Sequence, residues 1–306
     1  ANSIYCPNPG PVQVTVTGSG PGADGDAIKV EEDILADDPA NIVLQNISSG
    51  GVVSDKLPIT PRALRPVGPD FADHCEVGIH AGPLSDSTYN ADTGEYTSVS
   101  NTGGDLWDGQ NDFEFTYNRV SGDFDMSIKV ISRAHVPGTA VGNRWGRTGI
   151  LARLPQGTGF GQQEGCAKQT MIQDHYPDLQ DVFRLAKRQI HNTCNTMNEE
   201  TNDRGPGAAP SAHPPYYRLT RRGNVIEGWG SDDPTVETNP TNDALWSARG
   251  RADDWGSAPE LLLGFGNSEH GDGGAGPLTY VYEVLNLTAT KVPIYTIAPI
   301  GKTITW

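Results

Sequence analysis

The sequence predicts an all-β fold, and three observations lead to this prediction. Short runs in which apolar and polar residues alternate recur along the chain, and glycine and proline separate them. No long helical pattern lies between these runs. The chain holds 37 glycines and 23 prolines in 306 residues, which supplies many turns. Short strands joined by glycine-rich turns, without intervening helices, are typical of a β-sandwich.

The N-terminal part of the chain carries its own strand patterns. Residues 11–20 alternate valine with polar residues between a proline and a glycine, which predicts a strand. An acidic stretch, 24–38, separates this strand from a second apolar run at 42–44. Four prolines follow within 57–69, and because proline removes backbone donors we expect an extended linker there.

Strand patterns are densest after this linker. Residues 113–117 and 124–130 alternate strictly, and Ser121-Gly122 lies between them as a predicted turn. The pair Gly223-Asn224 is a hairpin turn signal between two further runs. The remaining strong strand patterns lie at 217–221, 225–229, 261–265 and 280–287.

Composition restricts the partners and the compartment. Lysine and arginine number 22 against 38 aspartates and glutamates, which gives a net charge of -16. Such a charge disfavours nucleic acid and anionic lipid as partners. No stretch approaches the roughly 18 apolar residues of a membrane span. The chain begins at Ala1 without an initiator methionine, so we expect a secreted or cell-surface protein whose signal peptide has been removed.

Four cysteines fit an oxidising compartment: Cys6, Cys75, Cys166 and Cys194. An even number of cysteines in a secreted chain predicts disulfides, and three connectivities are open. We favour Cys6–Cys75 and Cys166–Cys194, since each bond would tie an irregular stretch to its neighbour. No pair has the C-x-x-C spacing of a metal site.

Several stretches between 77 and 292 carry a family resemblance. They are YNADTGEY at 89–96, WGRTGILAR at 145–153, YRLTRRGN at 217–224 and the closing YEVLNLT at 282–288. Together, in this order and spacing, they resemble the concanavalin A-like (laminin-G-like) jelly-roll modules of bacterial secreted and surface proteins. The order and spacing of the pieces are more specific than any one of them.

The resemblance implies a domain organisation. Residues 77–292 are expected to form a concanavalin A-like jelly-roll β-sandwich, after a smaller β-rich N-terminal extension and linker at 1–76. Residues 293–306 are expected to be an apolar C-terminal strand. The pattern at 178–190 fits a helix or a strand, and the resemblance implies a strand. Residues 233–243 exceed the short turn usual in the family, whose members are binding or structural units.

No catalytic residue is assigned from the sequence. Glycosidases on this fold place paired carboxylates on one strand in a Glu-x-Asp-x-x-Glu run, which is not present here. The nearest substitutes are Asp112 with Glu114 and Asp123 with Asp125. We interpret both pairs as the solvated polar face of their strands, and a cryptic glycoside hydrolase is the third functional alternative.

If the protein binds a metal ion, we expect a structural calcium ion. Hard cations bind the carboxylate and carbonyl oxygens of irregular loops. No cluster matches a specific calcium loop, so no ligand is assigned; the clusters are Asp24 with Asp26, Asp105 with Asp108, and Asp232 with Asp233.

Sugar binding needs an exposed aromatic ring. Trp255 and Tyr216 are the candidates for such a ring. We expect core positions for most of the other rings. The tryptophans at positions that recur in the family are Trp107, Trp145 and Trp229.

The C-terminal tail is apolar and β-prone through Ile294, Ile297, Ile300, Ile304 and Trp306. Left in water, it would be a sticky edge strand, so either its own domain or a neighbouring subunit must cover it. The two interpretations stay open. The leading function is a non-catalytic structural or adhesive extracellular protein, self-assembling through its terminal strands. The alternative is a carbohydrate-binding, lectin-like module.

Overall fold

The structure is a computed structural model that divides the chain into two compact units, Ala1–Cys6 with Arg65–Pro293, and Pro7–Leu64 with Ile294–Trp306. In the part of the chain that the structure describes, no helix is long and apolar enough to cross a bilayer. The described residues are 27–31, 43–47, 57–58, 65–77, 85–101, 106, 113–135, 146–154, 168–175, 183–188, 198–200, 210–211, 213–253, 255–256, 260–269 and 277–292.

The smaller unit contains a three-stranded antiparallel sheet in the order β1-β2-β3. Its strands are β1 (Ala27–Glu31), β2 (Val43–Ile47) and β3 (Leu57–Pro58). The strand expected from the apolar run at 42–44 is confirmed by β2. The linker prediction is wrong for its first two residues, because β3 pairs with β2 and a proline is tolerated on an edge strand. The predicted strand at 11–20 lies outside the described residues.

The larger unit is all-β, and the described residues contain no α-helix. Its large sheet follows the order β11-β10-β9-β8-β15-β7-β12-β13-β14, with β16 paired to β6 and β7, β5 to β6, and β4 to β7. Two short 3-10 helices, Pro234–Glu237 and Asp243–Leu245, follow β13. The strands are β4 (Asp73–Val77), β5 (Asp86–Asn90), β6 (Glu95–Ser100), β7 (Phe113–His135), β8 (Arg147–Arg153), β9 (Gln169–His175), β10 (Arg184–Arg188), β11 (Asn198–Glu200), β12 (Tyr216–Arg222), β13 (Val225–Ser231), β14 (Ser247–Ala252), β15 (Glu260–Ser268) and β16 (Leu278–Val292).

Strand β7 corrects the turn predicted at Ser121-Gly122, since it runs unbroken for 23 residues. Gly122 has φ +69°. The pairing of β7 with β16 shifts here, because Ala289 pairs with Phe124 whereas the next residue, Thr290, pairs with Ser121. A glycine in the left-handed region forms such a bulge without a Cβ penalty and increases the local bend. The first half of β7 therefore pairs with β15, and the second half pairs with β12.

The main core lies where two parts of this sheet face each other. A Cβ built at Gly228 of β13 would lie 2.6 Å from Leu185 Cδ1 of β10, so these unpaired strands approach closely. One cluster of buried residues joins both parts. It includes Ile150, Ile172, Leu263 and Phe265 from β8, β9 and β15, and Met126, Tyr217, Leu219 and Tyr282 from β7, β12 and β16.

Several further expectations are settled by the strand pairing. The strand implied at 178–190 is confirmed over Arg184–Arg188, which pairs with β9. The hairpin around Gly223-Asn224 is confirmed by the β12–β13 pairing. Val67 and Phe71 belong to the main core, and β4 joins the large sheet. The structure thus assigns residues 65–76 to the larger unit, whereas the sequence placed them in the extension.

Candidate functional site

The two rings expected to bind sugar are buried. Trp255 is 3% exposed and Tyr216 is 4% exposed. The Trp255 indole donates to Thr170 Oγ1 at 2.9 Å, and the Tyr216 hydroxyl donates to Glu237 Oε1 at 2.5 Å. The expectation of exposed rings is therefore wrong for both. Core burial is confirmed for Trp229.

The carboxylate pair on β7 differs from the expected solvated face. Glu114 is 1% exposed, and Asp112 lies outside the described residues. Ser87 Oγ donates to Glu114 Oε1 at 2.9 Å, and His74 Nδ1 lies 3.0 Å from the same oxygen. Burial raises the pKa of Glu114 above its ordinary value of 4.5, against the opposing effect of these two partners. The solvated-face interpretation is wrong for Glu114, which is a buried and hydrogen-bonded acid.

The second carboxylate pair has two separate structural roles. Asp123 accepts a hydrogen bond from Gly223 N at 2.7 Å, at the β12–β13 turn. Asp125 forms a bidentate ion pair with Arg218, at 2.8 Å to Nε and 2.6 Å to Nη2. The remaining guanidinium nitrogen of Arg218, Nη1, donates to Asp243 Oδ1 at 2.8 Å. This bond connects the long 233–243 segment to β12. These carboxylates hold the β12–β13 hairpin.

The acidic pair Asp232 and Asp233 also forms hydrogen bonds within the protein. Asp232 accepts hydrogen bonds from Ser211 N and Oγ, and Asp233 caps the first 3-10 helix by accepting from Thr235 N. Across the described residues no group of three or more His, Cys, Asp or Glu side chains is placed to hold a metal ion. Four other calcium candidates lie outside the described residues, namely Asp24, Asp26, Asp105 and Asp108.

The predicted disulfides and the tail stay predictions. Cys75 lies on β4 opposite Phe115 of β7. The remaining residues of these two predictions lie outside the described residues, namely Cys6, Cys166, Cys194, Ile294, Ile297, Ile300, Ile304 and Trp306.

The carboxylate of a second buried acid, Asp174 of β9, is bound by three neighbouring side chains. Arg133 Nε lies 2.7 Å and Tyr217 OH 3.0 Å from Asp174 Oδ2, while His213 Nδ1 lies 2.5 Å from Oδ1. The carboxylate is fully buried, and the guanidinium balances its charge. Asp174 thus orients the His213 ring, and the charges of Asp174 and Arg133 compensate each other.

The candidate site lies on the other side of the same strands. Along β8, β9 and β10, residues that alternate with the core residues share one outer face. We name it the arginine–glutamine face, and it consists of Arg147, Arg153, Gln169, Gln173, Arg184 and Arg188. All of these side chains are buried except that of Arg184, which is half-buried.

The strand register arranges this face in rows. Arg153 pairs with Gln169, which pairs with Arg188 on the next strand, so these three side chains lie side by side. A second row contains Gly149, Gln173 and Arg184. Leu151, Met171 and Ala186 form an apolar row between the two.

Glycines and aromatic rings border the arginine–glutamine face. Gly264 and Gly266 of β15 form a glycine strip next to β8, and a Cβ at Gly266 would lie 3.4 Å from Leu151 Cδ2 and 3.6 Å from Phe113 Cδ2. Beyond this strip, β7 carries Phe113, Phe115 and Tyr117, whose ring centroids are spaced 5.6 and 5.0 Å apart. The polar side chains of β8 and the aromatic rings of β7 therefore lie on opposite sides of the two glycines.

Arg153 is the least compensated member of the face. It is 2% exposed, and its Nε and Nη2 have no hydrogen-bond partner within the described residues. Its Cζ lies 5.2 Å from the centroid of the Phe113 ring. Burial and the neighbouring charge of Arg188 lower the pKa of Arg153 to about 9, so the guanidinium remains charged at neutral pH.

No local sequence pattern predicted this face. Arg147 and Arg153 stood in the WGRTGILAR stretch only as carriers of the family resemblance, and Gln169 was not singled out. The available signal was the even spacing of Arg147 from Arg153 and of Gln169 from Gln173, which places each pair on one face of its strand. The arrangement brings guanidinium groups, side-chain amides and aromatic rings together on one sheet.

Comparisons with known proteins add little to this description. No family model matches the chain, and no curated protein matches it. A solved structure of a functionally unknown protein from Saccharomyces cerevisiae is similar to it, with a TM-score of 0.39 and 14% identity. That similarity covers 72% of this chain and 97% of the yeast chain. Fold and site together define an all-β protein with a buried, donor-rich sheet face.

Proposed function

We propose that this chain is a non-catalytic extracellular surface protein whose larger unit is a jelly-roll β-sandwich that binds glycans. The arginine–glutamine face would be the binding surface. Because its side chains and the neighbouring rings are almost fully buried, this face would have to open before a glycan could reach it. The observation that supports this proposal is the juxtaposition on one sheet of amide and guanidinium donors with a ladder of aromatic rings. Ligand sites in proteins commonly combine an apolar, aromatic lining with a few convergent polar groups.

Each part of this face suits one part of a sugar. Amide groups such as those of Gln169 and Gln173 donate to and accept from hydroxyl groups. Aromatic rings such as Phe115 supply apolar surface. A non-catalytic role is supported by Glu114 and Asp125, whose carboxylates are held by structural partners.

The test is a glycan-binding screen on the full chain, followed by titration calorimetry with each hit. We expect Gln173→Ala to weaken binding, because a neutral hydrogen bond contributes about 1 kcal/mol. Asn239→Ala is the matched control, since Asn239 is exposed and its side-chain amide donates to the neighbouring Thr238. A screen without any hit, or equal affinities for both variants and the parent, would show that this face is not a glycan site.

Self-assembly through the tail is the second candidate, and the edge of β16 favours it. Within the described residues, β6 covers β16 only at 278–282, so 283–292 pairs with β7 alone. Most of this segment is half-buried or exposed. An edge of this kind is a template on which a further strand can add. The tail of a second copy, 293–306, is the proposed occupant.

Light scattering on the intact chain and on a chain truncated before Pro293 tests this second candidate. We expect the intact chain to form assemblies and the truncated chain to be a monomer. Monomers in both samples would show that the tail does not join subunits. Large assemblies in both samples would place the joint elsewhere in the molecule.

A further inference from the structure

A short motif near the end of β16 has a distinct three-dimensional setting. Asn286-Leu287-Thr288 fits the Asn-x-Ser/Thr pattern of N-glycosylation acceptors in secreted proteins. Thr288 Oγ1 donates to Asn286 Oδ1 at 3.0 Å, so the two residues that define the motif are in contact. Another tripeptide of this pattern, Asn46-Ile47-Ser48, ends outside the described residues. Such tripeptides also occur by chance, so the position of the motif in the fold decides its meaning.

The strand places this motif on the outer face of the sheet. Leu287, between the two polar residues, packs against the main core. Because successive side chains of a strand point to opposite faces, Asn286 and Thr288 point away from that core. Thr288 is exposed and Asn286 is half-buried. The motif therefore lies at the protein surface, although it is part of a strand.

The edge of the sheet beside this motif has few neighbours among the described residues. Strand β6 pairs with β16 only from Leu278 to Tyr282, so β7 is the described strand that flanks Asn286. Thr290, on the same face as Thr288, is exposed as well. A glycan attached to Asn286 would extend into solvent from this end of the sheet, without displacing a core side chain.

The side-chain amide of Asn286 can carry a sugar and keep its hydrogen bond. Its Nδ2 donates to the backbone oxygen of Asp125 on β7 at 2.9 Å, where the pairing of the two strands shifts. A carboxamide nitrogen carries two hydrogens, and this bond uses one of them. The role of the amide at the bulge explains the asparagine, but it does not explain the hydroxyl that Thr288 directs at the amide oxygen.

We propose that Asn286 is an N-glycosylation site, which rests on the extracellular location proposed above. In the transfer, Nδ2 forms a bond to the anomeric carbon of a glycosyl phosphate donor. The bond from that carbon to the phosphate oxygen breaks, and the phosphate leaves with the electron pair. The proton lost by Nδ2 passes to a base of the transferring enzyme. The hydroxyl of Thr288 is the group that this enzyme recognises in the acceptor.

Mass spectrometry of the full chain, taken from the extracellular fraction of the cells that produce it, tests the site. Trypsin cleaves after lysine and arginine, so Asn286 falls in the peptide 252–291, which holds no other Asn-x-Ser/Thr tripeptide. We expect this peptide to carry the mass of a glycan, and fragmentation to assign that mass to Asn286. A glycan bound without a covalent bond is lost when the chain is denatured for digestion. A peptide with no glycan-bearing copies overturns the proposal.

Variants produced in the same cells show whether the motif directs the modification. Thr288→Ala should abolish the glycan on Asn286, because the recognised hydroxyl is lost, whereas Thr288→Ser should retain part of it. Thr290→Ala is the matched control, since Thr290 is an exposed threonine of the same strand outside the tripeptide. Equal modification of Thr288→Ala and the parent would overturn the site. If a variant does not fold, the peptide from the parent chain decides the matter.

The outcomes separate this site from the proposed function. An unmodified peptide from extracellular protein overturns the glycosylation site alone, because the arginine–glutamine face lies on other strands. A chain found only inside the cells overturns both the extracellular location and the glycosylation site. A glycan that Thr288→Ala removes and Thr290→Ala retains supports the proposal.

Discussion

At the scale of single residues, Arg218 shows how this fold holds an inserted segment. The guanidinium is fully buried, bonded to Asp125 and Asp243, and lies 6.0 and 5.7 Å from the ring centroids of Trp229 and Trp246. Two carboxylates raise the pKa of Arg218 although its burial opposes them. One side chain thus joins β7, β12 and the segment that follows β13.

We predict that Arg218→Met destabilises the protein strongly. Removing one partner of a buried ion pair costs about 3–5 kcal/mol, and the lower end applies because Asp243 is partly exposed to water. Arg222→Met is the control, since Arg222 pairs with the same Asp243 but is exposed and should cost less than about 1 kcal/mol. Urea unfolding measures both, and equal losses would contradict the role assigned to Arg218.

Glu114 leads to a prediction about pH. Its folded pKa lies above 4.5, so the native state keeps a proton that the unfolded chain releases. The contribution of Glu114 to stability is therefore fully present below pH 4.5 and is lost as pH rises towards the folded pKa.

Replacing this acid by its neutral analogue isolates that contribution. Glu114→Gln should match the parent near pH 4 and become relatively more stable as the pH rises to about 7, since the amide never ionises. Urea unfolding across this range gives the two slopes. Parallel slopes would show that Glu114 has the same proton occupancy in both states.

At the scale of elements, the backbone of β7 depends on Gly122. Its φ of +69° lies in the left-handed region, and a Cβ there would meet no atom within 4 Å. A substitution at this position is therefore penalised by backbone strain alone. We predict that Gly122→Ala costs about 1–2 kcal/mol and Gly122→Asn clearly less, because asparagine tolerates this region. Thermal unfolding of both variants measures the difference, and equal midpoints would exclude strain as the cause.

The strands were the predictable part of the fold. Short apolar or alternating runs bounded by turn residues located β12, β13, β15 and most of β16. This criterion failed at Ser121-Gly122, where the same glycine signal fits a turn or a bulge, and only the pairing of β7 with β15 and β12 distinguishes them. Residues 184–188 were ambiguous for the same reason, since pairing with β9 decides them.

The site was less predictable than the strands. Arg153 and Gln169 come together only through the register of β8 and β9, which no local pattern specifies. Trp255 illustrates the opposite error, because its polar sequence neighbours suggested exposure while its ring packs against β9. Function at a sheet face depends on residues from separate strands, so it emerges only when the pairing is known.

At the scale of the whole molecule, the charge of -16 is the dominant feature. Like charges on a compact body repel each other, and dissolved salt screens them over about 10 Å at 0.1 M. Acidic loops bind calcium where several oxygens converge. Both effects raise stability when a divalent salt is added, so a test of calcium binding must separate them.

We predict that calcium stabilises the chain beyond screening. Thermal unfolding would be measured in about 5 mM calcium, above the dissociation constants of about 10⁻⁴–10⁻³ M of extracellular sites, and in magnesium at equal ionic strength. Screening acts alike for both ions, whereas magnesium demands a stricter geometry and holds its water more tightly. A higher midpoint in calcium, reversed by a chelator, is the expected result. Equal midpoints would show that screening alone acts and that the expected structural calcium is wrong.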